Sequence, residues 1–175
     1  VTAFPVKTLE EITEVDGLVI PGGESTTISK LARAFGLFDG IRDRIKNGLP
    51  VYGSCAGLIL LADKVEDAII GQESFGGLDV VARRNAFGRQ VDSFEVDLQV
   101  KGLTEPVFRA VFIRAPWIEK VGRDVEILAE VSGHPVAVRS KNIIATSFHP
   151  ELTGDNRLHK YFVEQIVRKY SKVAS

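Results

Sequence analysis

The sequence predicts an α/β fold: an open, mostly parallel sheet in three layers, with helices on both faces and additional antiparallel strands. Three observations carry this expectation. Short apolar runs such as Gly17-Leu-Val-Ile-Pro21 and Leu49-Pro-Val-Tyr52 alternate with helical periodicities, as in parallel sheets built from crossover units. Phe94, Val96, Leu98 and Val100 alternate with Glu95, Asp97 and Gln99, a period of two that marks a half-buried strand. A chain of 175 residues with 45% hydrophobic content suffices for one domain with a sizeable core, whereas two domains would be cramped. Residues 1–175 are therefore read as a single domain.

Taken in order, Val1 to Val6 reads as a strand, and Thr8 caps a short helical turn through Glu10, Glu11 and Ile12. Leu18 to Ile20 forms a strand that breaks at Pro21-Gly22-Gly23. In the helix that follows Glu24-Ser-Thr-Thr27, Ile28, Leu31, Ala32 and Phe35 are spaced as a core-facing stripe. Gly36 interrupts the pattern, and Leu37, Phe38, Ile41 and Ile45 continue it to the Asn47-Gly48 stop. Val51 to Gly53 is extended and Leu58 to Ala62 helical, so Ser54-Cys55-Ala56 lies on a strand-to-helix turn. Glu66 to Gly77 is irregular. Leu78 to Ala82, Val107 to Ile113 and Val125 to Val131 are strands, and Ser132-Gly133-His134-Pro135 turns the last of these into a hairpin with Val136 to Arg139. Asn142 to Phe148 is a strand ending at His149-Pro150-Glu151, and from Asn156 a last helix buries Leu158, Tyr161, Phe162 and Ile166.

Bulk properties exclude several functional classes. A net charge of -1, from 22 basic and 23 acidic residues, shows no large electrostatic footprint for nucleic acid or an anionic membrane. The apolar runs fall far short of the ~20 residues of a membrane span. A lone cysteine precludes an internal disulfide or a Cys-rich zinc site and fits a reducing compartment, with cytoplasm as the expected location.

That cysteine is flanked as Gly53-Ser-Cys-Ala-Gly57, the G-x-C-x-G form of a nucleophile elbow, in which glycines allow close backbone contacts and the reactive atom projects from the strand tip. A helix start behind Cys55 is expected to favour the thiolate. The alternative is a cysteine packed as a small buried hydrophobe. Three strands, Leu18 to Ile20, Val51 to Gly53 and Ile143 to Phe148, end in unusual sequences. If parallel, they share one crevice, where open α/β sheets bind ligands. His149 is then the candidate base for Cys55. Glu151, two residues on, lies on the same side of an extended chain and can orient one ring nitrogen. A Cys55-His149-Glu151 triad results, against the alternative of a solvated His-Glu pair in a turn. The Ala56 N–H and the Gly23 N–H are candidate oxyanion donors. A metal site has less support, because His134, His149 and His159 form no close ligand pair. His159 is read as a helix-surface residue and His134 as a turn residue.

Pro21-Gly-Gly-Glu-Ser-Thr-Thr27, Gly53-Ser-Cys-Ala-Gly57 and Phe148-His-Pro-Glu-Leu152 resemble the three signatures of class I, triad-type glutamine amidotransferases. Arg84-Asn-Ala-Phe-Gly-Arg-Gln90, Ser93-Phe-Glu95 and Phe112-Ile-Arg-Ala-Pro116 narrow the resemblance to the glutaminase subunits of pyridoxal 5'-phosphate synthases, and it spans essentially the whole chain. It implies that Cys55 attacks the side-chain amide of L-glutamine, that His149 protonates the departing ammonia, and that water hydrolyses the glutamyl thioester. It further implies that ammonia passes through a tunnel to a partner synthase subunit, which combines it with ribose 5-phosphate and glyceraldehyde 3-phosphate to form pyridoxal 5'-phosphate. No cofactor is implied for this subunit. Carried over by position, the glutamine-binding residues are Gly23, Glu24, Ser25, Arg84, Ile113 and Arg114. Arginine suits the carboxylate of a free amino acid and Glu24 its ammonium, although Arg83-Arg84 also reads as a solvated surface pair. A stand-alone cysteine hydrolase and a non-catalytic regulatory module of the same fold are the competing readings. One departure is expected to matter: members of the family begin with a further strand and helix, including a Gly-Leu-Gln-Gly-like turn, to which nothing here corresponds.

Overall fold

The computed structural model describes residues 1–87, 92–104 and 106–171. Its helices are α1 (Leu9–Glu14), α2 (Ser25–Ala34), α3 (Phe38–Lys46), α4 (Ala56–Leu61), α5 (Arg157–Tyr161) and α6 (Arg168–Ser171), the last two joined by a π-helical segment, Phe162–Val167. The strands are β1 (Leu18–Ile20), β2 (Val51–Ser54), β3 (Ala62–Glu66), β4 (Leu78–Arg83), β5 (Ser93–Leu98), β6 (Phe108–Ile113), β7 (Trp117–Val121), β8 (Glu126–Val131), β9 (His134–Ser140) and β10 (Ile143–Thr146).

The principal sheet has the order β1-β2-β10-β9-β8. Its first three strands are parallel, with Ile20 paired to Gly53 and Ser54 to Thr146, and its last three are antiparallel. The expected α/β class therefore holds, with parallel pairing in this sheet confined to the strands that end at the three unusual sequences. β3, β4 and β7 make a second sheet, and β5 pairs with β6 in a third. Side chains alternate across the principal sheet because strand periodicity is two. Val51, Ile143 and Ala145 enter the core under α1 to α4, whereas Tyr52 and Ile144 enter the core shared by β5, β6 and the C-terminal helix.

Local chemistry accounts for several elements. The Thr8 hydroxyl accepts from the Glu11 N–H and the Glu11 carboxylate accepts from the Thr8 N–H, a reciprocal cap that starts α1. The β8-β9 hairpin turns through Ser132 at φ 50° and Gly133 at φ 78°, as required of a tight turn whose twist matches its strands. In α3, Phe38, Ile41 and Ile45 are all buried, as their spacing predicts. The C-terminal helix buries Leu158, Phe162 and Ile166 and leaves Tyr161 half-buried.

Three expectations are corrected. Val1 to Val6 forms no strand; Val1 is fully exposed and Phe4 half exposed, so the apolar run has nothing to pair with among the described residues. In α2 the predicted stripe is split: Ala32 is buried and Ile28 packs against the core, but Leu31 is 52% and Phe35 72% exposed, and Ser25, Thr26 and Ser29 are buried in their place. The small side chains let α2 lie close on α4, and its larger apolar face turns outward. Ile28, Leu31 and Phe35, with Val6 and Val19, line an apolar groove of about 490 Å³ beside the outermost strand, β1. Strands β3 and β7 carry too few apolar alternations to be read from sequence, and both exist only by pairing with β4. The expected motif residues Gly88, Arg89 and Gln90 lie outside the described residues.

Candidate active site

Cys55 sits between β2 and α4 with φ 51° and ψ −100°, a conformation that a non-glycine residue adopts only when its surroundings impose it. Those surroundings are glycines and a strand. A methyl group on Gly57 would come within 2.3 Å of the Ile20 carbonyl oxygen, and one on Gly53 within 2.6 Å of the Gly57 carbonyl carbon. Both positions thus require glycine for space, which lets α4 press against β1 and β2. The Cys55 N–H donates to the Thr146 carbonyl at 2.8 Å, tying the elbow to β10.

Cys55 is 7% exposed, and its surroundings favour the protonated thiol. Burial raises its pKa to about 11; the Ala56 N–H, which acts on the sulfur, pulls it down, and the Glu151 charge raises it further. The expected pull of the helix start towards the thiolate is present in the Ala56 N–H, but desolvation outweighs it and the net shift is upward. The sulfur also lies 3.9 Å from the Ile113 carbonyl at the end of β6.

Beyond Thr146 the chain passes through Ser147 and Phe148 to His149, whose N–H donates to the Val111 carbonyl at 2.9 Å. His149 Nδ1 and Glu151 Oε1 are 2.8 Å apart, with the His149 side chain only 12% exposed. Pro150 to Leu152 forms a single 3₁₀ turn, so Glu151 reaches the ring from a turn and not from extended chain as its spacing suggested. Behind this segment, the Thr146 hydroxyl donates to the Phe148 carbonyl at 3.1 Å and meets the buried Tyr52 hydroxyl at 3.2 Å. Burial raises the Tyr52 pKa well above its ordinary value, so that phenol stays protonated.

The end of β1 supplies the next part. Gly23 has φ 147°, a backbone suited to glycine. Gly22 does not; a methyl group there would instead come within 2.3 Å of His149 Cε1 and 2.7 Å of Nδ1. Glu24 then caps α2. One carboxylate oxygen accepts from the Thr26 N–H and from Arg84, the other from the Thr27 N–H and hydroxyl. Desolvation opposes its ionisation, but the Thr27 hydroxyl and the Thr26 and Thr27 amides prevail and hold its pKa at about 2. Arg84 pairs with Glu24 at 3.2 Å and donates to Gln72 Oε1 at 2.6 Å, while Gln72 Nε2 donates to the buried Ser25 hydroxyl at 3.1 Å. Arg84 is thus enclosed in a network, unlike Arg83, which pairs with Glu66, Asp67 and Glu119 on the second sheet. Arg114 is exposed at φ 41°, its N–H bonded to the Asp92 carbonyl, and it follows Ile113 at the rim.

The predicted residues accordingly fall into two groups. Cys55 and Ala56 form the elbow, within reach of the Ile113 carbonyl and of the Glu151 charge, and Glu151 holds His149; Glu24, Ser25 and Arg84 form the network at the start of α2, which Gly23 immediately precedes, and Arg114 follows Ile113. His134 stacks on Trp117, with ring centroids 3.6 Å apart, and His159 meets the edge of Tyr52, so His159 is half-buried and not simply a surface residue. Among the described residues, no group of His, Cys, Asp and Glu is arranged to hold a metal ion, and no helix is long and apolar enough to cross a membrane. Sequence reasoning missed Gln72, Tyr52 and Thr146. Gln72 lies in an irregular stretch without periodicity, and the other two read as ordinary strand residues.

Residues 1–168 match the model of the SNO glutamine amidotransferase family. A pyridoxal 5'-phosphate synthase subunit PdxT from Streptomyces avermitilis is 60% identical over 164 residues, which cover 94% of this chain and 82% of the relative. The PdxT of a Parafrankia species is 61% identical over 166 residues, covering 95% and 81% respectively. A solved structure described as a glutamine amidotransferase matches with a TM-score of 0.87 at 47% identity, covering 94% of this chain and 86% of its own. A putative GMP synthase component from Thermoplasma acidophilum, at 18% identity and a TM-score of 0.63, covers 95% and 79% and shares the fold alone. With its strained cysteine elbow and its His149–Glu151 pair, and matched over nearly its whole length, this chain belongs to the SNO glutamine amidotransferase family.

Proposed function

We propose that the chain is the glutaminase subunit of a pyridoxal 5'-phosphate synthase, hydrolysing L-glutamine to glutamate and ammonia and passing the ammonia to a partner synthase subunit. The observation that supports the reading is that β1, β2 and β10 are parallel neighbours, so that the Gly22-Gly23 turn, the Cys55 elbow and the His149–Glu151 pair all follow strand ends on one side of the sheet. The relatives named as PdxT subunits support the same assignment. Residues 1–175 act as one glutaminase domain, and the cytoplasm is its proposed compartment.

In this reading His149 takes the Cys55 proton as sulfur attacks the glutamine carboxamide carbon. A base is needed because the thiol, with its pKa near 11, is protonated at neutral pH. The N–H groups of Gly23 and Ala56 hold the oxyanion. As the C–N bond breaks, His149 returns the proton to the leaving ammonia, and a glutamyl thioester remains. Water, deprotonated by His149, then attacks the thioester carbonyl, releasing glutamate and restoring the thiol. Glu151 fixes the imidazole through Nδ1, leaving Nε2 for the chemistry. Gly23, Glu24, Ser25, Arg84, Ile113 and Arg114 hold the substrate, the guanidinium of Arg84 matching its α-carboxylate.

The test is ammonia release from glutamine with and without the partner synthase subunit. Turnover is expected to depend on the partner and to be abolished by Cys55→Ala. Unchanged ammonia release in Cys55→Ala overturns the nucleophile assignment. High turnover that is indifferent to the partner favours a stand-alone hydrolase, and none under either condition favours a silent regulatory module.

A further inference from the structure

Gln72 belongs to none of the sequence signatures, yet its side chain connects two residues of the proposed substrate site. Its carboxamide oxygen accepts from Arg84 Nη1 at 2.6 Å, and its nitrogen donates to the Ser25 hydroxyl at 3.1 Å. Both halves of the amide are used, across 12 residues on one side and 47 on the other.

The stretch just after Gln72 is firmly held. Glu73 makes a two-point ion pair with Arg33, at 2.9 and 2.7 Å; Arg42 donates to the Ser74 carbonyl; and Phe75 is buried against Phe38. The Phe75 and Gly76 amides both donate to the Leu60 carbonyl, and the Gly77 amide to Asp63. In the segment before it Ile70 is 98% exposed, and the Gln72 amide donates to the Ile69 carbonyl. Gln72 therefore marks the point at which the irregular stretch becomes fixed to the body of the fold.

Glu24 holds the other side of the same guanidinium while itself receiving the Thr26 amide, the Thr27 amide and the Thr27 hydroxyl. Arg84 is thus gripped on Nη1 by Gln72 and Thr26 and on Nη2 by Glu24, which fixes the plane of its guanidinium.

We propose that Gln72 is a positioning residue of the substrate site, holding the Arg84 guanidinium and the Ser25 hydroxyl in the arrangement that receives the amino-acid end of glutamine. The inference rests on the assignment of Arg84 and Ser25 to substrate binding. A guanidinium fork gains its specificity from orientation, so releasing one side weakens carboxylate capture while leaving the sulfur chemistry in place.

The experiment is steady-state glutaminase kinetics of the complex with its partner synthase subunit, for wild type, Gln72→Met, Gln72→Glu and Arg84→Ala, with a melting temperature for each. Gln72→Met keeps the length of the side chain and removes both hydrogen bonds; it is expected to raise KM for glutamine roughly tenfold with kcat within twofold and melting within a few degrees. Gln72→Glu keeps an acceptor for Arg84 and is expected to recover most of the loss. If Arg84→Ala raises KM and Gln72→Met does not, the Gln72 proposal alone is overturned, as it also is if KM is unmoved while kcat and melting temperature fall together. If Arg84→Ala leaves KM unchanged, the substrate assignment of Arg84 fails and the proposal falls with it.

Discussion

Cys55 combines an imposed backbone conformation with a local environment that keeps its proton in place. Its pKa near 11 gives a pH prediction whose sign follows directly. The thiol form dominates below that value, so alkylation of the free protein by iodoacetamide should accelerate steadily with rising pH and level off only near 11. A rate that levels off near pH 8 would contradict burial as the dominant influence. Gly22 poses a different question at the same scale. Its φ lies outside the left-handed region, and the three atoms nearest to an added methyl group all belong to His149. Gly22→Ala should therefore lower the melting temperature in the wild-type background and leave it nearly unchanged in a His149→Ala background, while reducing glutamine turnover by at least ~100-fold, the scale of losing general base catalysis. Equal destabilisation in both backgrounds would place the cost elsewhere.

At the scale of elements, the elbow works because α4 approaches β1 and β2 more closely than any side chain allows. Gly57→Ala should cost on the order of 2 kcal/mol, because the added methyl meets backbone, which cannot rotate away. Denaturant unfolding checks this, and a midpoint equal to wild type would show that α4 can shift. The elbow and β10 are legible in the sequence because glycine spacing and unbroken apolar runs are strong local signals. The hairpin is legible for the same reason, since Ser132 and Gly133 meet the left-handed conformations of its turn. β3 and β7 are not: Ala62-Asp-Lys-Val-Glu66 and Trp117-Ile-Glu-Lys-Val121 have weak patterns and become strands through their partner β4. The orientation of α2 escapes the sequence because periodicity identifies an apolar face without saying what covers it. Here closeness to α4 selects the face of Ser25, Ser29 and Ala32. The Gln72 bridge has no signal at all, since it depends on where an irregular segment is fastened.

At the scale of the molecule, one sheet separates two cores and presents its parallel strand ends as a single edge. The triad candidates are legible as roles; their contacts are not, because the 3₁₀ turn at Pro150 and the burial of the thiol are tertiary outcomes. Glu24 contributes to stability as well as to the site. Its folded-state pKa, near 2, lies below the ordinary carboxylate value of 4.5, so its stabilisation is present above pH 4.5 and is lost as pH falls from there towards 2. Glu24→Gln should accordingly flatten the decline in melting temperature between pH 5 and 3 by a measurable margin; an unaltered acid limb would show that other carboxylates dominate. The elbow also has a consequence for oxidative damage. With one cysteine and no methionine, these 175 residues hold a single sulfur atom, nearly enclosed and kept as a thiol. Peroxide reacts with thiolates far faster than with thiols, so the burial that makes Cys55 dependent on a base also shelters the one sulfur of these residues from oxidation.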